Sequence, residues 1–161
     1  MKKSIILIIL VLIFCIPVVN SNVAFESVEN SYEKPDGGYI EIPKINLNQI
    51  FLNNNNVDKN ITVIEPSEYP DVENSLLILA GHSGTGAQAY FNNLYKLVKG
   101  EKIYISYNGK KYEYSIIDIY YQEKTGKINI YRYPDTTMLV LVTCTNNNSK
   151  MQTVYVAILD N

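Results

Sequence analysis

Residues 138–145 have the sequence MLVLVTCT, which is the clearest strand pattern in the chain. The run is short, apolar and rich in β-branched side chains, and it lies between Pro134-Asp135 and Asn146-Asn147-Asn148. This pattern is typical of a buried β-strand bounded by turns. Cys144 stands at the end of the predicted strand, where the backbone leaves the core. We therefore expect a thiol that a rigid element holds and that a ligand can still reach.

A second buried strand is predicted at residues 75–80, and Gly81-His82-Ser83-Gly84 follows it directly. The chain has a single histidine, His82, and its other cysteine, Cys15, lies in an apolar leader. The flanking glycines let the backbone turn and allow close access. One thiol and one imidazole, each after a core strand, indicate nucleophilic chemistry by a Cys/His pair. An inert buried cysteine and a structural histidine remain the alternatives to this interpretation.

The composition of the chain limits its fold class and its partners. The 161 residues are enough for one domain with its own core. The 14 tyrosines, with abundant isoleucine, valine and threonine, favour strands over helices. The net charge is −2 and no basic block is present, so nucleic acid is excluded as an expected partner.

The amino-terminal segment predicts export to the cell surface. Two lysines precede an apolar run at residues 5–19, as in a secretory signal or a signal anchor. We predict an uncleaved signal anchor or transmembrane segment at 1–20, a linker at 21–38 and a folded domain at 39–161. The positive-inside rule then places the domain outside the cell, attached to the membrane by a single amino-terminal span.

The rest of the chain predicts an all-β protein, a barrel or a sandwich with mostly antiparallel strands. Asn108-Gly109, between two alternating segments, predicts a tight hairpin. The spacing of apolar residues in 90–97 predicts a short packing helix. The predicted strands lie at residues 39–43, 47–52, 61–64, 75–80, 102–107, 111–121, 138–145 and 153–159.

Six segments follow one another along the chain. They are Ile40-x-Ile42-Pro43-Lys44-Ile45, Ala80-Gly81-His82, Phe91-x-x-Leu94, Gly100-Glu101-x-Ile103, Leu141-Val142-Thr143-Cys144 and Val154-x-Val156-Ala157. In this order they resemble the motifs of sortases, which are bacterial cysteine transpeptidases. The resemblance covers residues 39–159, with Val140 where the family usually has threonine.

The resemblance implies an eight-stranded sortase-type β-barrel with one or two short helices. It implies an enzyme on the outer face of a Gram-positive cell membrane that recognises a sorting signal of the Leu-Pro-x-Thr-Gly type. Cys144 would attack the scissile carbonyl and form a thioester. His82 would protonate the leaving amine and then accept a proton from the incoming amine of a peptidoglycan precursor or a pilin lysine. No cofactor and no metal ion is implied.

One position departs from the family pattern. Sortases carry an arginine five residues before the alanine of the last motif, and this chain has Gln152 there. The arginine would position the substrate and hold the developing oxyanion, so we expect a substitute. The candidates are Arg132, the amide of Gln152 and, less directly, Lys150, while Thr143 beside the cysteine is a further candidate for positioning substrate. The alternative is a degenerate, weak or inactive barrel that only binds sorting-signal peptides.

Other classes of protein fit the sequence less well. A zinc site normally uses four ligands, and one exported cysteine with one histidine falls short of that. Papain-like peptidases place the cysteine before the histidine, and a caspase would carry Gln-Ala-Cys-x-Gly. The sequence has no dense cluster of acidic residues that would indicate a calcium site. The single predicted span and the few predicted helices lead us to expect a class A or D type rather than the pilus-polymerising or haem-acquisition types.

Overall fold

Eight strands close into a barrel in the computed structural model, which describes residues 36–160. Around the barrel the strand order is β1-β2-β3-β4-β7-β8-β6-β5. The predicted eight-stranded barrel is therefore confirmed. The strands are β1 Gly37–Ile42, β2 Leu47–Leu52, β3 Ile61–Val63, β4 Leu76–Ala80, β5 Lys102–Tyr107, β6 Lys110–Glu123, β7 Met138–Thr145 and β8 Asn148–Leu159.

Strand β7 is buried on both faces, which explains its unbroken apolar sequence. Leu139 and Leu141 point into the barrel, where they join the main core. Val140 and Val142 point outward into a second apolar cluster that is covered by the β6–β7 connection. A strand that is buried on both sides loses the usual alternation of apolar and polar residues. The sequence of β7 therefore reflects two layers of packing.

Helical structure in residues 36–160 is limited to two 3₁₀ helices, Pro43–Ile45 and Leu94–Lys96. The short packing helix predicted over 90–97 is present only as the three-residue 3₁₀ helix Leu94–Lys96. Phe91, Leu94 and Leu97 are the buried residues of this segment, and their spacing of three matches a 3₁₀ period. None of the helices within residues 36–160 is long and apolar enough to span a membrane. The predicted anchor at 1–20 lies outside the described residues.

The first strand begins at Gly37, two residues before the predicted start of the domain. The glycines that suggested a flexible linker instead allow close packing. A Cβ atom on Gly38 would lie 2.5 Å from the carbonyl oxygen of Ser106 and 2.8 Å from the ring of Phe51. Both distances are shorter than ordinary contacts. Glycine is thus required here by the neighbouring strand and the core.

Replacing Gly38 by alanine should destabilise the barrel. Because the added methyl group meets a backbone carbonyl, which cannot move aside as a flexible side chain can, we expect a loss of about 1–3 kcal/mol in the free energy of unfolding. Urea denaturation would measure it. Gly86→Ala is the matched control, since a Cβ atom there meets nothing within 4 Å. Equal stability of the two variants would contradict this account of β1.

Buried tyrosines should make the barrel sensitive to alkali. Burial is the main cause that raises the pKa of Tyr107 and of Tyr155 to about 12, and burial also raises that of Tyr114. An unfolded tyrosine titrates near 10, so the stability present below that pH is lost as the pH rises towards 12.

The hydroxyl of Tyr114 is buried and forms no hydrogen bond within residues 36–160. We therefore expect Tyr114→Phe to be at least as stable as the parent at neutral pH and to lose less stability in alkali. Urea midpoints recorded between about pH 9 and 12 would show both effects. A steeper alkaline loss in the variant would contradict the assignment.

Candidate active site

The two predicted catalytic residues lie at the ends of two strands that run side by side in the same direction: Cys144 is near the end of β7, and His82 follows β4. β4 and β7 pair in parallel, with Ala80 opposite Val142. The amide of Gly81 continues this pairing by donating to the carbonyl of Val142 over 3.2 Å. Because parallel strands end at the same edge of a sheet, Cys144 and His82 come from the same end of the barrel.

Side-chain hydrogen bonds fix the histidine loop to the cysteine strand. The hydroxyl of Thr143 donates to the carbonyl of Gly81 over 2.8 Å. The hydroxyl of Ser83 donates to the carbonyl of Cys144 over 2.7 Å. These bonds lie on either side of His82 and tie its backbone to β7. Thr143 is buried and its hydroxyl is used inside the protein, so it positions the histidine loop rather than facing a substrate.

Cys144 opens onto a polar cavity of about 470 Å³. The residue is half-buried and its thiol is free. One wall is made by Ser83 and Gly84 of the histidine loop, another by Lys124, and the rest by residues 145–149, where β7 turns into β8. The cavity has the size of a ligand site and brings together three segments that are distant in sequence.

A lysine contacts the cysteine sulfur. The ammonium Nζ of Lys124 lies 3.3 Å from Sγ of Cys144 and donates to it. Lys124 directly follows β6, and its backbone amide donates to the carbonyl of Lys150 over 2.8 Å. The sequence analysis did not identify Lys124, because one lysine in a long connection carries no motif.

An acidic residue contacts the histidine ring. Nε2 of His82 lies 2.9 Å from Oδ1 of Asp58, which belongs to the β2–β3 connection. Both side chains are exposed to solvent, so the pair adds little to stability. Its effect is on orientation, since a carboxylate on one ring nitrogen directs the imidazole. Asp58 was also missed from sequence, as it lies in a polar loop 24 residues upstream.

Gln152, which stands where sortases have arginine, lies directly opposite Cys144 in the β7–β8 pairing. Its side chain is buried, and its amide nitrogen donates to the carbonyl of Lys127 over 2.9 Å. The amide that was predicted to assist the substrate is therefore used to hold the β6–β7 connection against β8.

The structure does not bring Arg132 together with Cys144. Nη1 of Arg132 donates to the carbonyl of Ser75 over 3.0 Å, and Nη2 contacts the carbonyl of Asn74. These carbonyls precede β4, whereas His82 follows it, and the extended chain between them spans about 20 Å. Arg132 was predicted as a candidate substitute for the missing arginine, and the β6–β7 connection carries its guanidinium to the start of β4, at the other end from His82.

Comparison with known proteins identifies the family of this chain. A family model described as Sortase domain matches residues 40–159. The chain belongs to the sortase family. Sortases are cysteine transpeptidases that act on surface proteins with sorting signals and on amine acceptors. No curated protein matches the chain.

Solved sortase structures share the fold. A lid mutant of sortase A from Corynebacterium diphtheriae superposes with a TM-score of 0.71 at 20% identity, over 81% of this chain and 73% of that one. Sortase C1 from Streptococcus agalactiae gives a TM-score of 0.69 at 24% identity, over 77% and 67% of the two chains. Sortase C from Streptococcus pneumoniae gives 0.69 at 20% identity, over 78% and 70%.

Removing the Thr143 hydroxyl should weaken the link between the two site-bearing strands. Thr143→Val keeps the shape of the side chain but leaves the buried carbonyl of Gly81 without this donor, which costs about 1–3 kcal/mol of unfolding free energy. Chemical denaturation would measure the loss. Thr85→Val, in the same loop with an exposed side chain, is the control and should be neutral. A neutral Thr143→Val would show that the bond does not hold the loop.

Proposed function

We propose that this protein is a cell-surface cysteine transpeptidase that cleaves a Leu-Pro-x-Thr-Gly-type sorting signal. The observation that carries the proposal is the thiol of Cys144 at the end of a strand buried on both faces, with the His82 loop hydrogen-bonded beside it. A rigid nucleophile next to a polar cavity suits attack on a bound peptide. A thiolate and an imidazole can carry out acyl transfer near neutral pH without a metal ion.

The proposed reaction proceeds through two acyl transfers. Sγ of Cys144 attacks the carbonyl carbon of the scissile bond, a C–S bond forms, and the carbonyl electron pair moves to oxygen. Collapse of this intermediate breaks the C–N bond and leaves a thioester, while His82 supplies the proton to the departing amine. An incoming amine then attacks the thioester, His82 accepts its proton, and the thiolate leaves.

A second cavity, on the outer apolar face of the barrel, supports recognition of an extended peptide. It has a volume of about 720 Å³ and lies between β6 and the β6–β7 connection. Tyr120, Ile128, Ile130 and Tyr133 are among its lining residues. Aromatic and aliphatic walls of this kind suit the leucine and proline of a sorting signal.

The proposed location is the outer face of the membrane of a Gram-positive cell, with residues 1–20 as the anchor. The amine acceptor is a peptidoglycan precursor or a pilin lysine, and the type is class A or D. The export pattern of the sequence supports the location, and the single predicted span with few predicted helices supports the type.

A binding module is the second candidate function. It is favoured by one observation: Gln152 replaces the arginine, and its amide is bonded to Lys127 rather than free for substrate. Such a protein would hold a sorting-signal peptide in the same cavities without forming a thioester. Only covalent chemistry at Cys144 separates the two functions.

Intact-mass analysis of the full chain with a pool of Leu-Pro-x-Thr-Gly-type peptides would test the proposal. We expect a mass gain equal to the acyl fragment, located on Cys144 by peptide mapping and absent in Cys144→Ala. His82→Ala should slow thioester formation by about 10²–10⁴-fold, because general acid–base catalysis contributes that much.

Cys15→Ala is the matched control and should react like the parent. Peptide binding by Cys144→Ala, with no adduct on the parent protein, would overturn the transpeptidase proposal in favour of the binding module. Absence of both binding and adduct would contradict both functions for signals of this type.

A further inference from the structure

We infer that Lys124 is a catalytic residue of this protein, whose ammonium stabilises the Cys144 thiolate and then the oxyanion formed on the substrate carbonyl. The inference deepens the proposed transpeptidase function and rests on it for the second of these roles. It assigns the task of the absent arginine to a residue from another part of the fold.

The contact between the two side chains carries the inference. Nζ of Lys124 donates to Sγ of Cys144 over 3.3 Å, and both residues line the same cavity. In the described part of the chain, Lys124 is the only lysine or arginine that hydrogen-bonds the sulfur. Arg132 is bonded to backbone carbonyls at the start of β4 instead. The positive charge nearest to the nucleophile is therefore an ammonium from the end of β6.

The backbone around Lys124 is held by β8. Its amide donates to the carbonyl of Lys150 over 2.8 Å, and the Gln152 amide donates to the carbonyl of Lys127 over 2.9 Å. Both bonds join the start of the β6–β7 connection to the strand that runs beside Cys144. Gln152 thus has a positioning role: the residue at the usual arginine position secures the segment that supplies the cation.

The chemistry needs a cation at this point. A cation next to a cysteine sulfur stabilises the thiolate, which is the nucleophilic form. When the C–S bond forms, the negative charge moves from sulfur to the former carbonyl oxygen. An ammonium on a flexible stem can follow that charge and donate to the oxygen without losing a proton. His82 still exchanges the proton with the amine.

The first test compares Lys124→Met with the parent full chain in thioester formation with the peptide pool. We expect the acylation rate to fall by about 10²-fold, as when an oxyanion donor is removed. Lys124→Arg keeps the charge and should recover most of the rate. Lys96→Met, an exposed lysine in the second 3₁₀ helix, is the charge-matched control and should retain the parent rate.

The second test needs no peptide substrate. Iodoacetamide alkylates the thiolate with loss of iodide, and peptide mapping reports Cys144 separately from Cys15. We expect Lys124→Met to react several-fold more slowly than the parent near pH 6.5 and at a similar rate near pH 10, where an ordinary thiol is already ionised. Lys124→Arg should follow the parent at both values.

The two tests separate the inference from the proposed function. If no peptide acylates the parent but Lys124→Met is alkylated slowly at low pH, the transpeptidase proposal fails for these signals and the role of Lys124 at the thiolate stands. If Lys124→Met matches the parent in alkylation at every pH, the inference is overturned, whatever the peptides show. If Lys124→Met is acylated at the same rate as the parent, Lys124 does not stabilise the oxyanion.

Discussion

The parallel pairing of β4 with β7 is the constraint on which the rest of the site depends. It sets Ala80 against Val142, so the chains that leave the two strands emerge at the same end of the barrel. Each strand ends in the residue type that acyl transfer needs, His82 after one and Cys144 at the end of the other. Burial of β7 on both faces makes this pairing rigid, because neither strand can slide without moving two apolar layers. The relative position of Cys144 and His82 is thereby set by core packing.

Cys144 lies on the outer face of the barrel, next to the outer apolar cluster. Cys144, Gln152 and Gln122 lie in one row across β7, β8 and β6. Gln122 and Gln152 hold the β6–β7 connection through Asn129 and Lys127. Below this row, the same connection covers the apolar residues of the outer cluster. The β6–β7 connection therefore covers the outer apolar cluster and lines the second cavity. Its first residue, Lys124, contacts the sulfur of Cys144, so the packing of this segment also positions the lysine.

Two polar contacts at the site are exposed to solvent and contribute little to the stability of the fold. The pair formed by His82 and Asp58 and the contact between Lys124 and Cys144 both face solvent. Exposed charge contacts contribute little to folding, so their value lies in orientation and in stabilising developing charge. The buried bond from Thr143 to Gly81, in contrast, serves stability and holds the histidine loop in place. Substitutions at these two kinds of position should therefore be separable by unfolding measurements.

Local sequence patterns predicted most of the strands and the hairpin, since buried strands and an Asn-Gly turn have local signatures, and the resemblance to sortases implied the closed barrel. The sequence also singled out Cys144 and His82 as candidate catalytic residues, which the parallel pairing of β4 and β7 places at the same end of the barrel. The sequence was less informative where packing overrides local preference: helical structure within 90–97 is limited to the 3₁₀ helix Leu94–Lys96, and glycines 37 and 38 belong to a strand. The charges that meet the thiol and the imidazole depend on the tertiary fold. Lys124 and Asp58 reach the site from loops far away in sequence, while Arg132 is carried away from it. A loop lysine or aspartate has no sequence pattern that says where it points, because its position follows from the path of the backbone around the closed barrel.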